Sequence, residues 1–451
     1  MILSAFLLAL PQEDAANPAA PRGRAEVWRL DRVETLDGDA LENVTLIVRE
    51  GAIEQIGQAL IVPDGARVRD LRDSGMVASP PLVLTHANFL IQDQRGSGNA
   101  SRWRAVDSLW LAEGWEKDLL REGVLLAGVD PPGSGLPGRT SVIEAGGGWP
   151  RPQALVNDLH LKLTMSASPA AKEVVRRALK EADEAIEKEK KAREEWEKAR
   201  ADWVNQQKEK EKEKAEKEQA EKQQSGEKKE GQGGKSARAQ DEEEKPPPET
   251  FEPPAFPPDL QAVVEWVRQE RLAQVWISSA ADFVHWQDVL DERELPYELV
   301  LRHALSQNFH EIAEQLAQAK VRLDVPAIIT FLPFTRIRAN LPAELARAGV
   351  ERLVLSPAGD SLRELRDFRG AVTRVVSEGL DRKRAFEAIT LEPARALGQE
   401  GRIQALKAGA PANFVVWSGD PLDPMSRAML VVKDGKVVYD REKEEEEEAR
   451  R

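Results

Sequence analysis

Seven short apolar runs, each separated from the next by a helix-like or turn-rich stretch, constrain the fold of this chain most. They are Leu82–Thr85, Val124–Val129, Leu155–Leu163, Val275–Ile277, Glu298–Leu301, Ala327–Phe331 and Leu353–Leu355, with an eighth at Thr140–Ile143. Short apolar runs alternating with helical stretches mark strands covered on both faces by crossover helices, so they predict a parallel sheet. Eight such units suit a (β/α)8 TIM-like barrel better than a sandwich, and a doubly wound open sheet fits the same pattern. At 451 residues the chain can bury that core and a second, smaller one.

The ends of the chain follow a different grammar. Val44-Thr45-Leu46-Ile47-Val48 leads through Arg49-Glu50-Gly51 into Ile53 and Ile56, and Met429–Val432 joins Lys436–Tyr439 through Asp434-Gly435. Asp-Gly between apolar runs is a strong hairpin signal. Neither end has enough strands for its own core, so residues 25–78 and 401–440 are expected to build one small β-sandwich domain together. The barrel then occupies 79–400, with an insertion at 170–258 and an acidic tail at 441–451.

The insertion explains much of the high charged content of 31%. Its segment from Lys172 to Lys245 carries 21 basic and 22 acidic side chains and so adds little to the net charge of −14. Ala178, Ala185, Ala192 and Ala199, with Trp196 and Trp203, predict a weak seven-residue helical seam. Glu187 with Lys191 and Glu194 with Lys198 support the helix at about 0.2–0.5 kcal/mol each. Beyond Gln207 the apolar face disappears, and Gln223–Glu244 reads as disordered before Pro246-Pro247-Pro248 returns the chain to the fold. The segment is a docking arm or a solvated insertion without a specific partner.

The remaining globular part is acidic, which argues against binding a phosphate backbone, so no nucleic-acid partner is expected. Met1–Leu10 is apolar but too short to span a bilayer. Residues 1–24 read as a signal peptide lacking a basic leader region, or as a disordered N-terminus. Export to the periplasm or outside the cell follows from the first reading and a cytoplasmic location from the second. No later apolar run is long enough for a transmembrane helix. The chain has no cysteine, hence no disulfide, thiolate metal site or cysteine nucleophile.

Chemistry concentrates at the end of the first barrel strand, in Ser79-Pro80-Pro81-Leu82-Val83-Leu84-Thr85-His86-Ala87-Asn88-Phe89. Side chains two apart on a strand point the same way. His-x-His would put two metal ligands side by side, whereas His86-x-Asn88 places one ligand beside an amide that binds zinc poorly.

These stretches resemble the amidohydrolase superfamily, in particular its imidazolonepropionase-like branch. The resemblance rests on Val44–Gly57 with Val62-Pro63-Asp64-Gly65-Ala66, on the Pro81–Phe89 strand, and on Gly128-Val129-Asp130-Pro131-Pro132-Gly133-Ser134-Gly135. It is longest over Ile389-Thr390-Leu391-Glu392-Pro393-Ala394-Arg395-Ala396-Leu397-Gly398, continuing through Gly409 to Trp417 and Asp420-Pro421-Leu422. It implies a barrel hydrolase of amide or related C–N bonds, with one or two divalent metals at the strand ends. The metal activates water and a carboxylate moves the proton.

By that resemblance His86 matches the first metal histidine and Asn88 replaces the second. Ser278 stands where the fifth-strand histidine is expected, and His303 retains the sixth-strand histidine. Asp360, displaced by two or three positions, is the one carboxylate near the eighth-strand end and the candidate catalytic base. Each has a plain structural alternative: His86 as a core histidine bonded to backbone, His303 as a strand cap, Asp360 as a helix N-cap. His160 is the remaining strand-region histidine, while His285 and His310 fall on helical stretches. Lys162 is a candidate for the carboxylated lysine that bridges two metals in some relatives.

A catalytic zinc needs three protein ligands and an open position, and His86, His303 and Asp360 would leave no separate base. The leading expectation is therefore an amidohydrolase-like protein with an eroded metal centre and no cofactor, non-catalytic or altered in chemistry, binding a small molecule or peptide at the barrel mouth. An active enzyme with one zinc or other divalent metal on those three residues is the alternative, and a scaffold acting through the Lys/Glu arm is a third.

Overall fold

The computed structural model describes residues 23–91, 96–109, 114–147, 153–224, 247–302, 308–332 and 335–450. The apolar segment Met1–Leu10 and the candidate ligand His303 lie outside the described residues. None of the described helices is long and apolar enough to cross a membrane.

Strands from the two ends of the chain share one eight-stranded sheet. Its order is Lys436–Asp440, Ala428–Lys433, Phe414–Trp417, Val77–Ser79, Glu26–Val33, Leu41–Arg49 and Ala52–Gln58, with Arg67–Leu71 also pairing to Glu26–Val33. The joint is Val77–Ser79, parallel to Glu26–Val33 on one side and antiparallel to Phe414–Trp417 on the other. Both expected hairpins form. Glu50-Gly51 and Asp434-Gly435 have positive φ at both turn residues, as a type I′ turn requires, and glycine supplies the second without strain. Alternation along these strands buries Trp28, Leu30, Leu46, Ile53 and Phe414, with the Trp28 and Phe414 rings edge to face at 5.2 Å.

The central apolar runs form two further sheets. Leu161–Thr164, Ala273–Ile277, Tyr297–Leu301, Leu323–Pro326 and Leu353–Ser356 are successive parallel neighbours, and Gly135–Arg139 pairs antiparallel at one edge. Leu82–Leu84 runs parallel to Val124–Val129, which continues to Ser141–Glu144 and Gln153–Val156. The two sheets meet around Ala388 and Ile389: the N–H of Leu355 donates to Ala388 (2.9 Å) and that of Val83 to Ile389 (3.0 Å). Two expected boundaries change. Leu155–Leu163 is two strands, Gln153–Val156 and Leu161–Thr164, because the polar Asn157-Asp158 turn breaks it. The sheet strand expected at Ala327–Phe331 lies instead at Leu323–Pro326, and Thr330–Phe331 belongs to a separate small hairpin.

The insertion is more ordered than its composition suggests. One helix runs over Pro169–Gln224, 56 residues, so Gln223 and Gln224 are helical and not disordered. Residues 225–246 are outside the described set. Val175, Ala178, Leu179 and Ala182 enter the main core. Farther out, the Trp196 indole donates to the Pro248 carbonyl (3.1 Å) and packs near Phe251, so the returning chain covers the helix. The expected alanine seam does not hold throughout. Ala199 is exposed because the returning Pro247–Phe251 segment covers the Trp196–Arg200 side. The acidic tail is likewise a helix, Arg441–Ala449, capped by Asp440. Its Glu444 is buried against Arg121 (2.9 Å) and the Tyr439 hydroxyl (2.9 Å).

Candidate functional site

Parallel strands bring their C-terminal ends to one side of a sheet, and there the chain gathers polar side chains that sequence separates widely. His86 follows Leu82–Leu84, and Asp130 follows Val124–Val129. Asp324 lies within Leu323–Pro326, Trp276 within Ala273–Ile277, and Arg302 follows Tyr297–Leu301. The first two segments approach closely: the Ala87 N–H donates to the Gly128 carbonyl (2.8 Å), and a Cβ on Gly128 would meet the Thr85 carbonyl oxygen at 2.2 Å. Only glycine permits that approach, and it sets His86 beside Asp130.

His86 is buried between two carboxylates. Its Nδ1 is 2.8 Å from Asp130 Oδ2, and its Nε2 is 3.1 Å from Asp324 Oδ2, the latter an ion pair rather than an aligned hydrogen bond. The Thr85 hydroxyl also donates to Asp324. Burial opposes charging of the imidazole, but Asp130 and Asp324 together outweigh it and raise His86 to about 10. Burial likewise opposes ionisation of Asp130, and His86 and Lys162 hold its carboxyl below the ordinary range nonetheless. The cluster therefore holds an imidazolium and a carboxylate at neutral pH.

Two further cations converge on one indole. Lys162 Nζ is 3.7 Å and Arg302 Cζ is 4.4 Å from the centre of the Trp276 ring, and the His86 ring meets Trp276 edge to face at 4.7 Å. Burial, reinforced by Arg302, lowers Lys162 to about 8 while Asp130 and Asp360 resist. Arg302 pairs with Asp360 at 2.9 Å. The indole N–H donates to Gln274 (2.9 Å), whose amide in turn donates to Glu298 (3.2 Å), fixing the ring from below.

The structure answers each expected site residue differently. His86 is neither bonded to backbone nor turned to a free position, because side-chain carboxylates face both its nitrogens. Asn88 accepts the Asp130 N–H (3.1 Å) and so helps position that carboxylate. Ser278 is exposed beyond the strand end, and its N–H donates to Asp282 (2.9 Å). Asp360 is not a helix N-cap: Ser361 caps Leu362–Ser377, leaving Asp360 free to bind Arg302. His160 lies at the opposite strand ends, 3.6 Å from Glu298, where burial favours its neutral form. His285 contacts Lys172 between helices, and His310 sits on the short helix Phe309–Ile312. Asp130, Asp324, Trp276 and Arg302 received no role from sequence; for the three charged residues the available signal was charge within or ending an apolar strand.

A divalent metal fits this arrangement poorly. Among the described residues no three histidine, aspartate or glutamate side chains are placed to hold one ion together. Asp130 Oδ1 and Asp324 Oδ1 are buried without hydrogen-bond partners, yet the charges facing Asp130 are those of His86, Lys162 and Arg302. The space lined by His86, Arg302, Ser356 and Asp360 is about 10 Å³, room for about one water. A larger cleft of about 740 Å³ lies elsewhere, between the terminal sheet and the helices Trp115–Arg121 and Arg441–Ala449, and contains none of these residues.

Residues 333–439 match the model of the amidohydrolase family. That match covers about a quarter of the chain. An amidohydrolase from Thermotoga maritima MSB8 aligns over 92% of this chain and 100% of its own, with 18% identity and a TM-score of 0.68, a likeness of fold. A β-aspartyl dipeptidase from Fervidobacterium islandicum AW-1 aligns over 93% and 97% with 11% identity and a TM-score of 0.49. No curated protein matches the sequence.

The cluster makes stability depend on pH in a defined direction. Native His86 holds its proton up to about 10, above the ordinary 6.5. Between those values the native state binds more protons than the unfolded chain, so stability falls as pH rises. Native Lys162 releases its proton near 8, below the ordinary 10.5. Its contribution has the opposite sign and raises stability above pH 8. Urea unfolding across this range should show the cluster's contribution declining from pH 6.5 to 8 and then flattening. Comparison with a His86→Gln variant isolates this term; identical profiles would mean that His86 is neutral.

Proposed function

We propose that this chain is an imidazolonepropionase-like amidohydrolase homologue whose strand ends close into a (β/α)8 barrel and whose metal centre has become a buried ion cluster. It would not run metal-assisted hydrolysis. The observation that carries the reading is that His86, the one described candidate histidine ligand, faces Asp130 and Asp324 with its two ring nitrogens. A metal would have to displace one of these partners. Asp360, the other described member of the expected ligand set, is engaged by Arg302, which disfavours a single catalytic metal on that set.

What remains for such a chain is binding without turnover. The narrow space at the cluster favours a ligand engaging the rim of the strand ends over one that enters them. Elemental analysis of protein purified without chelators, together with hydrolysis assays on cyclic amides and dipeptides, tests the reading. Metal well below one equivalent and no turnover are expected. A stoichiometric metal whose removal abolishes hydrolysis would replace it with the active-enzyme alternative.

A further inference from the structure

We infer that the cleft of about 740 Å³ between the terminal sheet and the helices Trp115–Arg121 and Arg441–Ala449 is a binding site for short zwitterionic peptides, with Arg67, Arg69 and Lys436 receiving the carboxylate and Glu116 and Glu447 the ammonium. None of the strand-end residues lines it, so the inference goes beyond the proposed reading and does not depend on it.

The charges of the cleft are segregated by wall. Residues two apart on a strand share a face, and Arg67 and Arg69 of the strand Arg67–Leu71 both line the cleft. Lys436 adds a third cation from the edge strand Lys436–Asp440. Among the described residues none of these three is held in an ion pair. Two acids also line the cleft from the sheet: Glu26 stands opposite Arg67 in the parallel pair, and Asp440 is bound to Lys443 (3.0 Å). The sheet side therefore keeps an excess of positive charge. The helices reverse the sign. Lys117 faces Glu444 at 3.7 Å, whereas Glu116 and Glu447 line the cleft with no cation bound to either among the described residues. Glu116 accepts the Gly147 N–H (3.1 Å), which holds its carboxylate at the wall.

Both walls are braced. The Arg69 guanidinium rests 4.9 Å from the centre of the Trp28 ring, and buried Glu444 pins the helix Arg441–Ala449 to Arg121 and the Tyr439 hydroxyl. Leu120, Val437 and Val438 add apolar lining between the charges. A cleft with opposite charge on its two sides disfavours ions of a single sign and favours a ligand carrying both at separated points. Its volume lies within the range of small-molecule sites and exceeds what one amino acid fills, so a peptide of about two to four residues matches it.

Calorimetric titration of the full-length protein at low salt with trialanine, N-acetyl-trialanine and trialanine amide tests the assignment. Trialanine should bind saturably at one equivalent, and removing either terminal charge should weaken binding about tenfold, the effect of one charge-assisted contact. The Arg67→Gln, Lys436→Gln double variant should weaken trialanine by a similar factor and leave trialanine amide unchanged. Glu447→Gln should weaken trialanine while sparing N-acetyl-trialanine. All three side chains are exposed, so these variants should keep the wild-type unfolding midpoint. No saturable trialanine isotherm, or variants that bind trialanine as the wild type does, would overturn the inference. So would N-acetyl-trialanine binding as tightly as trialanine, which would mark a plain anion site.

Discussion

Replacing His86 by alanine is expected to destabilise the fold by about 3–5 kcal/mol, the usual cost of removing one partner from a buried ionic group. The substitution deletes the cation between Asp130 and Asp324, both buried, and leaves a space that the surrounding strands cannot easily fill. Lys162 and Arg302 are held on Trp276 and cannot occupy the imidazole position without leaving it. Urea denaturation at pH 7 measures the loss. Asp130→Asn in the His86→Ala background should recover part of it, because neutralising one carboxylate removes part of the uncompensated charge; the cycle gives the coupling directly. A loss below about 1 kcal/mol would mean that the two contacts contribute little net stability.

The cluster also shows where sequence reading ends. Apolar runs placed most strands, since burial on both faces leaves a continuous hydrophobic signature. Asp434-Gly435 and Glu50-Gly51 identified their turns because a type I′ turn demands particular backbone conformations of neighbouring residues. His86 was legible as a strand-end histidine, but its partners were not. Asp130 is 44 residues away and Asp324 lies on a much later strand, so their convergence depends on sheet order and on the close approach at Gly128. Neither Asp324 nor Arg302 carries a sequence signal beyond a charge within or ending an apolar strand. Asn88 read as the loss of a ligand, whereas the fold uses its amide to hold the Asp130 backbone. The long helix followed the same logic in reverse: composition suggested disorder past Gln223, while the covering Pro248–Phe251 segment that fixes its inner portion becomes visible only in three dimensions.

Trp417→Ala should have a comparably large effect, about 3–5 kcal/mol, as expected for truncating a fully buried tryptophan. The strand Phe414–Trp417 sends alternate residues to different cores. Phe414 and Val416 pack with Trp28 and Leu30 inside the terminal sheet, while Val415 and Trp417 join the core around the parallel strands. Trp417 thus pins one layer to the other. Its indole N–H donates to the Ser79 hydroxyl (2.8 Å), and Gly123 lies so near the ring that a Cβ there would come within 2.4 Å. The Arg369 guanidinium rests 4.7 Å from the ring centre and donates to the carbonyls of Pro421, Asp423 and Ser426. Truncation would remove packing area and leave Arg369 beside a void. Trp417→Phe separates the contributions: it keeps an aromatic face but loses the Ser79 bond, so it should cost less, with about 1 kcal/mol from the hydrogen bond. Equal losses for both variants would locate the stability in the indole N–H rather than in the packing. A negligible loss for alanine would show that the two layers are joined elsewhere. The expected order, alanine well below phenylalanine and phenylalanine below wild type, follows from one strand serving two cores at once.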